Sequence, residues 1–564
     1  MVANQSLQLL FRLIVIAVLP MTLCALSGCK PAADTKIAEN VNASAKSPDT
    51  ASSTAAAKDL ESKSDLEPKS NVKSDAVAVE EQPVSKDKAN PVSAKDGTFV
   101  IKGDLAEVDW SSLVGENITI EGDLVVADTF DLARRGRVNV ARKRLYVPTS
   151  QVDPNDAEPG ANSFEGGSNV AKVVARQKSN ESGMLTIDDN SSDQNVFPPA
   201  LFPELGGKHP TVRIGSVVNG VSGKLVESRN KLLLMADGPL NWTPAPRPER
   251  PNVGDADITV ASFNVLNYFT TIDNGKNRAR GSDSDSELVR QEAKIVSAIT
   301  ALNADVIGLM ELENNLDAEK RLVAALNTEA GSEVYKGCGL PSGFRDAPGG
   351  EDAIRVGIIY RADRVKPVGD VSMINDNAFF VARTPIVQTF ESADGGKPFA
   401  LVVNHFKSKG GASDAEPANK NKGDGQGAYN AARRSQALAI SKYVDKLKAS
   451  DSQSRVLVIG DLNAYQQEDP VDALRAKGLV DLHERFSSAS EHYSYVYFGQ
   501  CGSLDHAFAS ASLAKDITGI AAWHINSDEP KFLDYNQEYN PKSLYKSDPY
   551  RSSDHDPVII GIRN

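Results

Sequence analysis

The chain has 564 residues, too many for one hydrophobic core, and its 40 % hydrophobic and 24 % charged residues are an ordinary globular mixture, so two or three domains are expected. A net charge of −13 argues against binding a polyanion through bulk electrostatics; a nucleic-acid partner would need a local basic groove or a divalent metal. The four cysteines, Cys24, Cys29, Cys338 and Cys501, fit neither a disulfide scaffold nor a zinc cluster.

In chain order, the apolar run Leu13 to Leu19, preceded by Arg12 and continuing through Met21 to Leu26, reads as the core of an export signal. It closes with Leu26-Ser27-Gly28-Cys29, which resembles the lipobox of bacterial lipoproteins. That resemblance implies a signal peptide over 1–28, lipidation of Cys29 and a membrane lipid anchor. By the same analogy Lys30 favours the outer membrane over the inner, so an outer-membrane lipoprotein or a secreted protein is expected. Residues 29–96 are rich in Ala, Ser, Lys, Asp, Glu and Val, and are expected to form a disordered tether. From 97 to 244 short β-like runs recur between Gly, Asn and Pro, which predicts a small β barrel or sandwich. Arg134, Arg135, Arg137, Arg142, Lys143 and Arg144 cluster there, as a basic groove or a solvated face. The Pro-rich stretch 245–256 marks a linker before the last domain.

From 257 to 564 apolar strands alternate with helical segments at 288–302, 318–326 and 431–447, a mixed α/β pattern. The strands end in polar groups. Ile258 to Phe263 leads to Asn264, Ala304 to Met310 leads to Glu311, and Phe399 to Val403 leads to Asn404-His405. Val456 to Ile459 leads through Gly460 to Asp461 and Asn463, and two further segments carry Asp505-His506 and Asp554-His555. Any one is an ordinary strand terminator. Together, so many polar groups at the ends of buried strands imply one shared site. Its hard oxygen donors suit Mg²⁺ or Mn²⁺, with Ca²⁺ as a further candidate, rather than structural zinc.

Phe263-Asn264, Ile307 to Glu311, Asn404-His405, Gly460 to Asn463, Leu504-Asp505-His506 and Ser553-Asp554-His555 resemble, in order, the motifs of the endonuclease/exonuclease/phosphatase superfamily. Ser262 to Phe269 and Asn404 to Lys409 resemble its large secreted bacterial nuclease branch, with Met310 where many relatives carry Gln. The resemblance implies a four-layer α/β/β/α sandwich of two mixed sheets. Runs 126–132 and 144–149 resemble that branch's front domain, which implies an OB-like β domain. It also implies a metal-dependent nuclease of DNA, with RNA as a second substrate, acting as a monomer. Glu311, Asp554 and Asn264 would hold the metal. His555 would activate water, with Asp505 orienting it; Asp461 would touch the nucleophile or leaving group, Asn463 the phosphate and His405 the leaving oxygen, with Asp352 behind it. Arg383, Arg355 and Lys407 are candidate phosphate contacts. The alternatives are a lipid phosphodiesterase or inositol-phosphate phosphatase of the same fold, and a non-enzymatic surface lipoprotein. A lipid enzyme should carry an exposed aromatic or aliphatic hairpin beside the site, and no such run stands out. With Cys24 removed and Cys29 lipidated, Cys338 and Cys501 are expected to pair as a disulfide if geometry allows.

Overall fold

A computed structural model describes residues 92–93, 96–158, 162–164, 167–411, 413, 415–486 and 492–564. The signal peptide, Cys29 and nearly all of the tether lie outside the described residues. The described residues belong to one compact unit spanning Glu61–Asn564, and none of their helices is long and apolar enough to cross a membrane.

The front domain is built on five strands that close on themselves. Asn117–Asp128 pairs antiparallel with Val138–Ala141, which pairs antiparallel with Met184–Asp188. Met184–Asp188 runs parallel to Lys231–Ala236, which pairs antiparallel with Val217–Ser228. Val217–Ser228 returns to Asn117–Asp128 and completes the ring. Closure removes exposed strand edges, the usual hazard of a small β domain. The inward positions of the first strand, Ile118, Ile120, Leu124 and Val126, are fully buried. Their two-residue period is kept throughout, while the pairing with Val217–Ser228 shifts register between Ile120 and Asp123, beside Gly122 at φ +80°.

This barrel is fused to the rest of the chain. Phe532, Leu533 and Leu544 from the last domain complete its core. The short strand Leu145–Tyr146 runs parallel to Gln500–Gly502 and becomes the third strand of the hairpin Tyr495–Tyr497/Gln500–Gly502. The Pro-rich segment is docked too: Trp523 Nε1 donates to the Pro248 carbonyl (3.0 Å) and Arg250 Nε to that of Leu302 (2.6 Å). The basic cluster does not form a common groove. Arg137 pairs with Asp188, Arg142 donates to the carbonyls of Gly103 and Glu121, and Arg144 pairs with Asp528.

The last domain stacks two six-stranded mixed sheets. In the first the order is Tyr335–Gly337, Ile354–Arg361, Val306–Glu313, Ile258–Tyr268, Val558–Ile562, Ile517–Ala522. In the second it is Val365–Met373, Ile386–Ser392, Phe399–His405, Val456–Asp461, Asp505–Ala509, Val480–Asp481. The central strands are apolar on both faces because both faces are covered. Val260, Val306 and Ile358 meet Leu401, Val403 and Ile459 between the sheets, and full burial of each such side chain contributes about 1.5–3 kcal/mol. Gly308 sets the approach: a Cβ there would lie 2.8 Å from both Ile459 and Val403. Met310 is buried in this inter-sheet core, which explains why an apolar residue is tolerated before Glu311.

Helices Asp285–Leu302 and Leu316–Ala330 cover the outer face of the first sheet through Ile295, Ile299 and Leu322. Asn315 caps the second of these, its Oδ1 accepting from Ala318 N (2.9 Å), and Gly331 ends it at φ +66°. Asn430–Ser450 and Asp469–Ala476 cover the second sheet through Ile440, Val444, Val471 and Leu474. The result is the four-layer sandwich expected from the sequence.

Candidate active site

The strands that carry the polar tips end at one rim of the two sheets, and the backbone bends sharply there. Glu311 sits at φ +67° in a register shift between Leu309 and Leu312. Leu266 and Asn267 are left-handed in a second shift, between Asn264 and Tyr268, and Asn463 is at φ +48°. Left-handed non-glycine residues cost of order 1–3 kcal/mol each and persist where the surrounding structure holds them. Gly460, at φ +137°, lets the neighbouring strand pass: a Cβ there would be 2.0 Å from the Asn404 carbonyl oxygen.

Asp461 Oδ2 is the meeting point. It accepts from Asn264 Nδ2 (3.3 Å) and lies 3.4 Å from His405 Nε2 and 3.9 Å from His555 Nε2. Asn264 Nδ2 also reaches Glu311 Oε1 (3.1 Å), and Glu311 Oε2 accepts from Asn267 N (2.9 Å). His555 Nδ1 bonds Asp505 Oδ2 at 2.8 Å, and Asp505 is fully buried. Asn463 donates its backbone N–H to Asp461 Oδ1 (2.8 Å) and its side-chain amide to the Phe406 carbonyl (3.2 Å). The structure thus brings Asn264, Glu311, His405, Asp461, Asn463, Asp505 and His555 into one contact network. Asp554 is half-buried, and its charge acts on His555.

Burial pushes the Asp461 carboxyl up to about 7; His555 opposes that rise, while Asp505 and Glu311 add to it. Burial alone would strip the proton from His555, but Asp505, through charge and hydrogen bond, with Asp461 and Asp554, holds its pKa well above the ordinary value. His405 is the reverse case. Burial, then the charges of Arg383, His555 and Lys407, keep it neutral.

The donor set fits a small hard cation. Acidic oxygens outnumber neighbouring cations, and no thiol is present. Among the described residues no three His, Cys, Asp or Glu side chains form a ready-made metal cage. A cation that takes one or two carboxylates and fills its remaining positions with water and substrate oxygens suits so sparse a set. Asn264 is oriented as a brace rather than a ligand: its amide nitrogen faces the carboxylates and its oxygen accepts from Leu266 N (3.0 Å).

The expected phosphate contacts divide. Arg383 lies 3.4 Å from Asp352, donates to the Phe406 carbonyl (3.2 Å) and bears on His405, so it flanks the site. Asp352 therefore stands behind Arg383. Lys407 lies over the Tyr429 ring at 4.5 Å and reaches Ser408 Oγ (3.1 Å). Arg355 does not join them. It is fully buried, paired with Glu319 (3.1 Å) and donating to the carbonyls of Asn315 and Val356, which leaves no face for a phosphate. Lys409 closes on Glu468 at 2.6 Å. The expected disulfide is also corrected: Cys338 and Cys501 are free thiols. Burial pushes Cys501 up to about 12, despite Arg144 3.4 Å from its sulfur, so it is an unreactive core thiol.

Several supporting residues carry no motif signal. Asn526 Oδ1 accepts from the backbone of Ser552 (2.8 Å) and Ser553 (3.3 Å), while its Nδ2 donates to the His555 carbonyl (2.7 Å). Asp556 accepts from the N–H groups of Asn526 (2.8 Å) and Ser527 (3.0 Å) and contacts His524 Nδ1 (2.8 Å). Ser494 Oγ donates to Asp505 Oδ2 (2.7 Å). The Tyr495 ring lies 4.7 Å from that of His555. Tyr495 belongs to the hairpin noted above, whose tip residues Tyr497 and Phe498 are more than half exposed. An exposed aromatic hairpin beside the site therefore does exist, contrary to the sequence reading.

Behind Asp505 lie three imidazoles. His483 stacks on His492 at 3.6 Å and sits edge-on to His506 at 6.0 Å. Burial, reinforced by His506, lowers the His483 pKa to about 3. A folded-state pKa below the unfolded value near 6.5 means stability is complete above about pH 6.5 and is lost as pH falls toward 3. The expected loss from His483 is about 3 kcal/mol by pH 4.5. Urea unfolding of the parent and His483→Asn between pH 7 and 4.5 checks it: the variant's stability should fall less steeply.

The endonuclease/exonuclease/phosphatase family model matches residues 261–555, more than half of the chain, and the chain belongs to that family. Its members are hydrolases acting on phosphoester bonds. No curated protein matches the sequence. Solved structures are similar to a little over half of the chain. An endonuclease/exonuclease/phosphatase family protein from Bacteroides thetaiotaomicron is 19 % identical with a TM-score of 0.37, covering 54 % of this chain and 96 % of that one. The human Nocturnin catalytic domain with bound sulfate is 15 % identical with a TM-score of 0.35, covering 55 % and 95 %. D. rerio TDP2 complexed with single-strand DNA product is 17 % identical with a TM-score of 0.35, covering 54 % and 99 %.

Proposed function

We propose that this chain is an extracytoplasmic, divalent-metal-dependent nuclease that hydrolyses phosphodiester bonds of DNA, and of RNA as a second substrate. The observation that carries the chemistry is the Asp505–His555 pair at 2.8 Å, with the other imidazole nitrogen turned to Asp461 beside Glu311. In its neutral form, reached only above its raised pKa, the ring is fixed by Asp505 through Nδ1 and takes the proton of the attacking water at Nε2; the carboxylates that raise that pKa stabilise the imidazolium that forms. Asp461 orients that water or the leaving oxygen, and neutral His405 donates a hydrogen bond to the leaving oxygen. Arg383, Lys407 and Asn463 hold the phosphate. Glu311 and Asp554 would hold the cation, and Asn264 keeps Glu311 in place. When bound, Mg²⁺ or Mn²⁺ supplies charge stabilisation at the phosphoryl oxygens. The motif runs Ser262 to Phe269 and Asn404 to Lys409 support nucleic acid as the substrate class.

The front barrel is assigned an OB-type role in strand binding, which its five-stranded closure supports. The signal and lipobox-like sequence support anchoring at Cys29 in the outer membrane, or secretion, with the body acting as a monomer.

A lipid or inositol-phosphate phosphodiesterase is the second reading, favoured by the exposed aromatic hairpin. Incubation with plasmid, RNA, sphingomyelin and phosphoinositide, with Mg²⁺ or with chelator, separates the two. The expected result is cleavage of nucleic acid that chelator abolishes and Mg²⁺ restores. Cleavage of the lipids alone would reject the nuclease reading, and no cleavage of any substrate would favour a non-enzymatic surface lipoprotein.

A further inference from the structure

The hairpin that carries Tyr495 has a feature that stability does not explain. Tyr497 pairs with Gln500, so its loop is two residues long, and both of them, Phe498 (φ +46°) and Gly499 (φ +74°), are left-handed. Such loops favour Asn-Gly, because a bulky side chain is strained at the first position. The Phe498 ring is also 57 % exposed, so it gains little from burial. Tyr497, 54 % exposed, lies 4.5 Å from it in an edge-on pair. Strand alternation puts Tyr497 on the same face as Tyr495, whose ring meets His555.

The tip is clamped rather than projecting. A Cβ on Gly499 would meet Met184 Sδ at 2.7 Å and Asp128 Cβ at 3.4 Å, both on the front barrel. Asp128 accepts from the backbone of Phe130 (2.8 Å), whose ring is 56 % exposed. Arg134 and Arg135 follow in the next turn. Aromatic residues thus stand beside the His555 imidazole, at the hairpin tip and on the barrel segment next to the one the tip touches.

We propose that Tyr495, Tyr497, Phe498 and Phe130 form a stacking track for the bases of a single strand leaving the catalytic centre, with the front barrel as its continuation. The inference rests on the nuclease reading and names the strand's path. Stacking on ring faces also answers the net charge of −13, since it needs no broad basic surface. A bilayer is the less suited occupant: the hairpin tip lies against the barrel, and Asp131 stands next to Phe130.

The test uses the whole protein in chelator, so that binding is read without turnover. Anisotropy of a fluorescein-labelled single strand of about twelve thymidines is measured for the parent, Phe498→Asn and Phe130→Ser. Asn suits the strained turn, so Phe498→Asn should unfold at a higher temperature yet bind roughly 10-fold more weakly, with Phe130→Ser weakened by a similar factor. Parent-like affinity in both variants, with plasmid still cleaved by the parent in Mg²⁺, would overturn the track alone. Absence of nucleic-acid cleavage by the parent would instead reject the nuclease reading. Loss of sedimentation with phosphatidylcholine/phosphatidylglycerol vesicles in Phe498→Asn, at unchanged oligonucleotide affinity, would assign the rings to a membrane.

Discussion

Replacing His555 with alanine should lower kcat on bis(p-nitrophenyl) phosphate by roughly 10²–10⁴-fold, the range for loss of a positioned general base, with a smaller change in KM. The imidazole touches both Asp505, at 2.8 Å, and the Asp461 cluster, at 3.9 Å. Alanine removes the proton acceptor and leaves Asp505 buried with only Ser494 Oγ, at 2.7 Å, on the same oxygen. Steady-state kinetics with Mg²⁺, together with far-ultraviolet circular dichroism of both proteins, separates lost chemistry from lost fold. A variant as active as the parent would remove His555 from the reaction.

Arg213→Ala should cost about 1.5–3 kcal/mol of stability: Asp528 keeps Arg144 and Glu529 keeps Arg247, but each loses a buried, charged hydrogen-bond donor. Arg213 is 2 % exposed, pairs with Glu529 (2.8 Å) and Asp528 (3.4 Å), and donates to the His524 carbonyl (2.7 Å). The loss should also reach the reaction. Segment 524–529 contains Asn526 and Ser527, which bond the 552–556 loop and thereby set His555. Guanidinium unfolding and kcat measured on the same preparations check both parts. Lower stability with unchanged kcat would mean that the loop keeps its shape without the front domain's arginine.

The candidate site groups were legible because each follows an apolar run that has no local reason to end in a carboxylate, amide or imidazole. Asn264, Glu311 and Asp461 all stand out that way. Arg355 looked equivalent, since an arginine at a strand end suits a phosphate or a core acid alike. Its partner Glu319 is 36 residues away, on a helix, and nothing local reveals the pairing. Asn526 and Asp556 were silent because they act through backbone groups, which any sequence possesses. The hairpin escaped notice because its strands are three residues each and its turn lacks the usual Asn-Gly. Val365–Met373 has a largely exposed face and no apolar rhythm to read. The two thiols illustrate a different limit: being the last cysteines available says nothing of whether the fold brings them together.

Ile258–Tyr268 opens the last domain in sequence, yet it lies inside its sheet, flanked by Val306–Glu313 on one side and Val558–Ile562 on the other. A growing polypeptide therefore holds an unfinished sheet until residues 558–562 leave the ribosome, and the segment that delivers them also delivers His555. The site built around His555 is therefore incomplete in every nascent chain that lacks this strand.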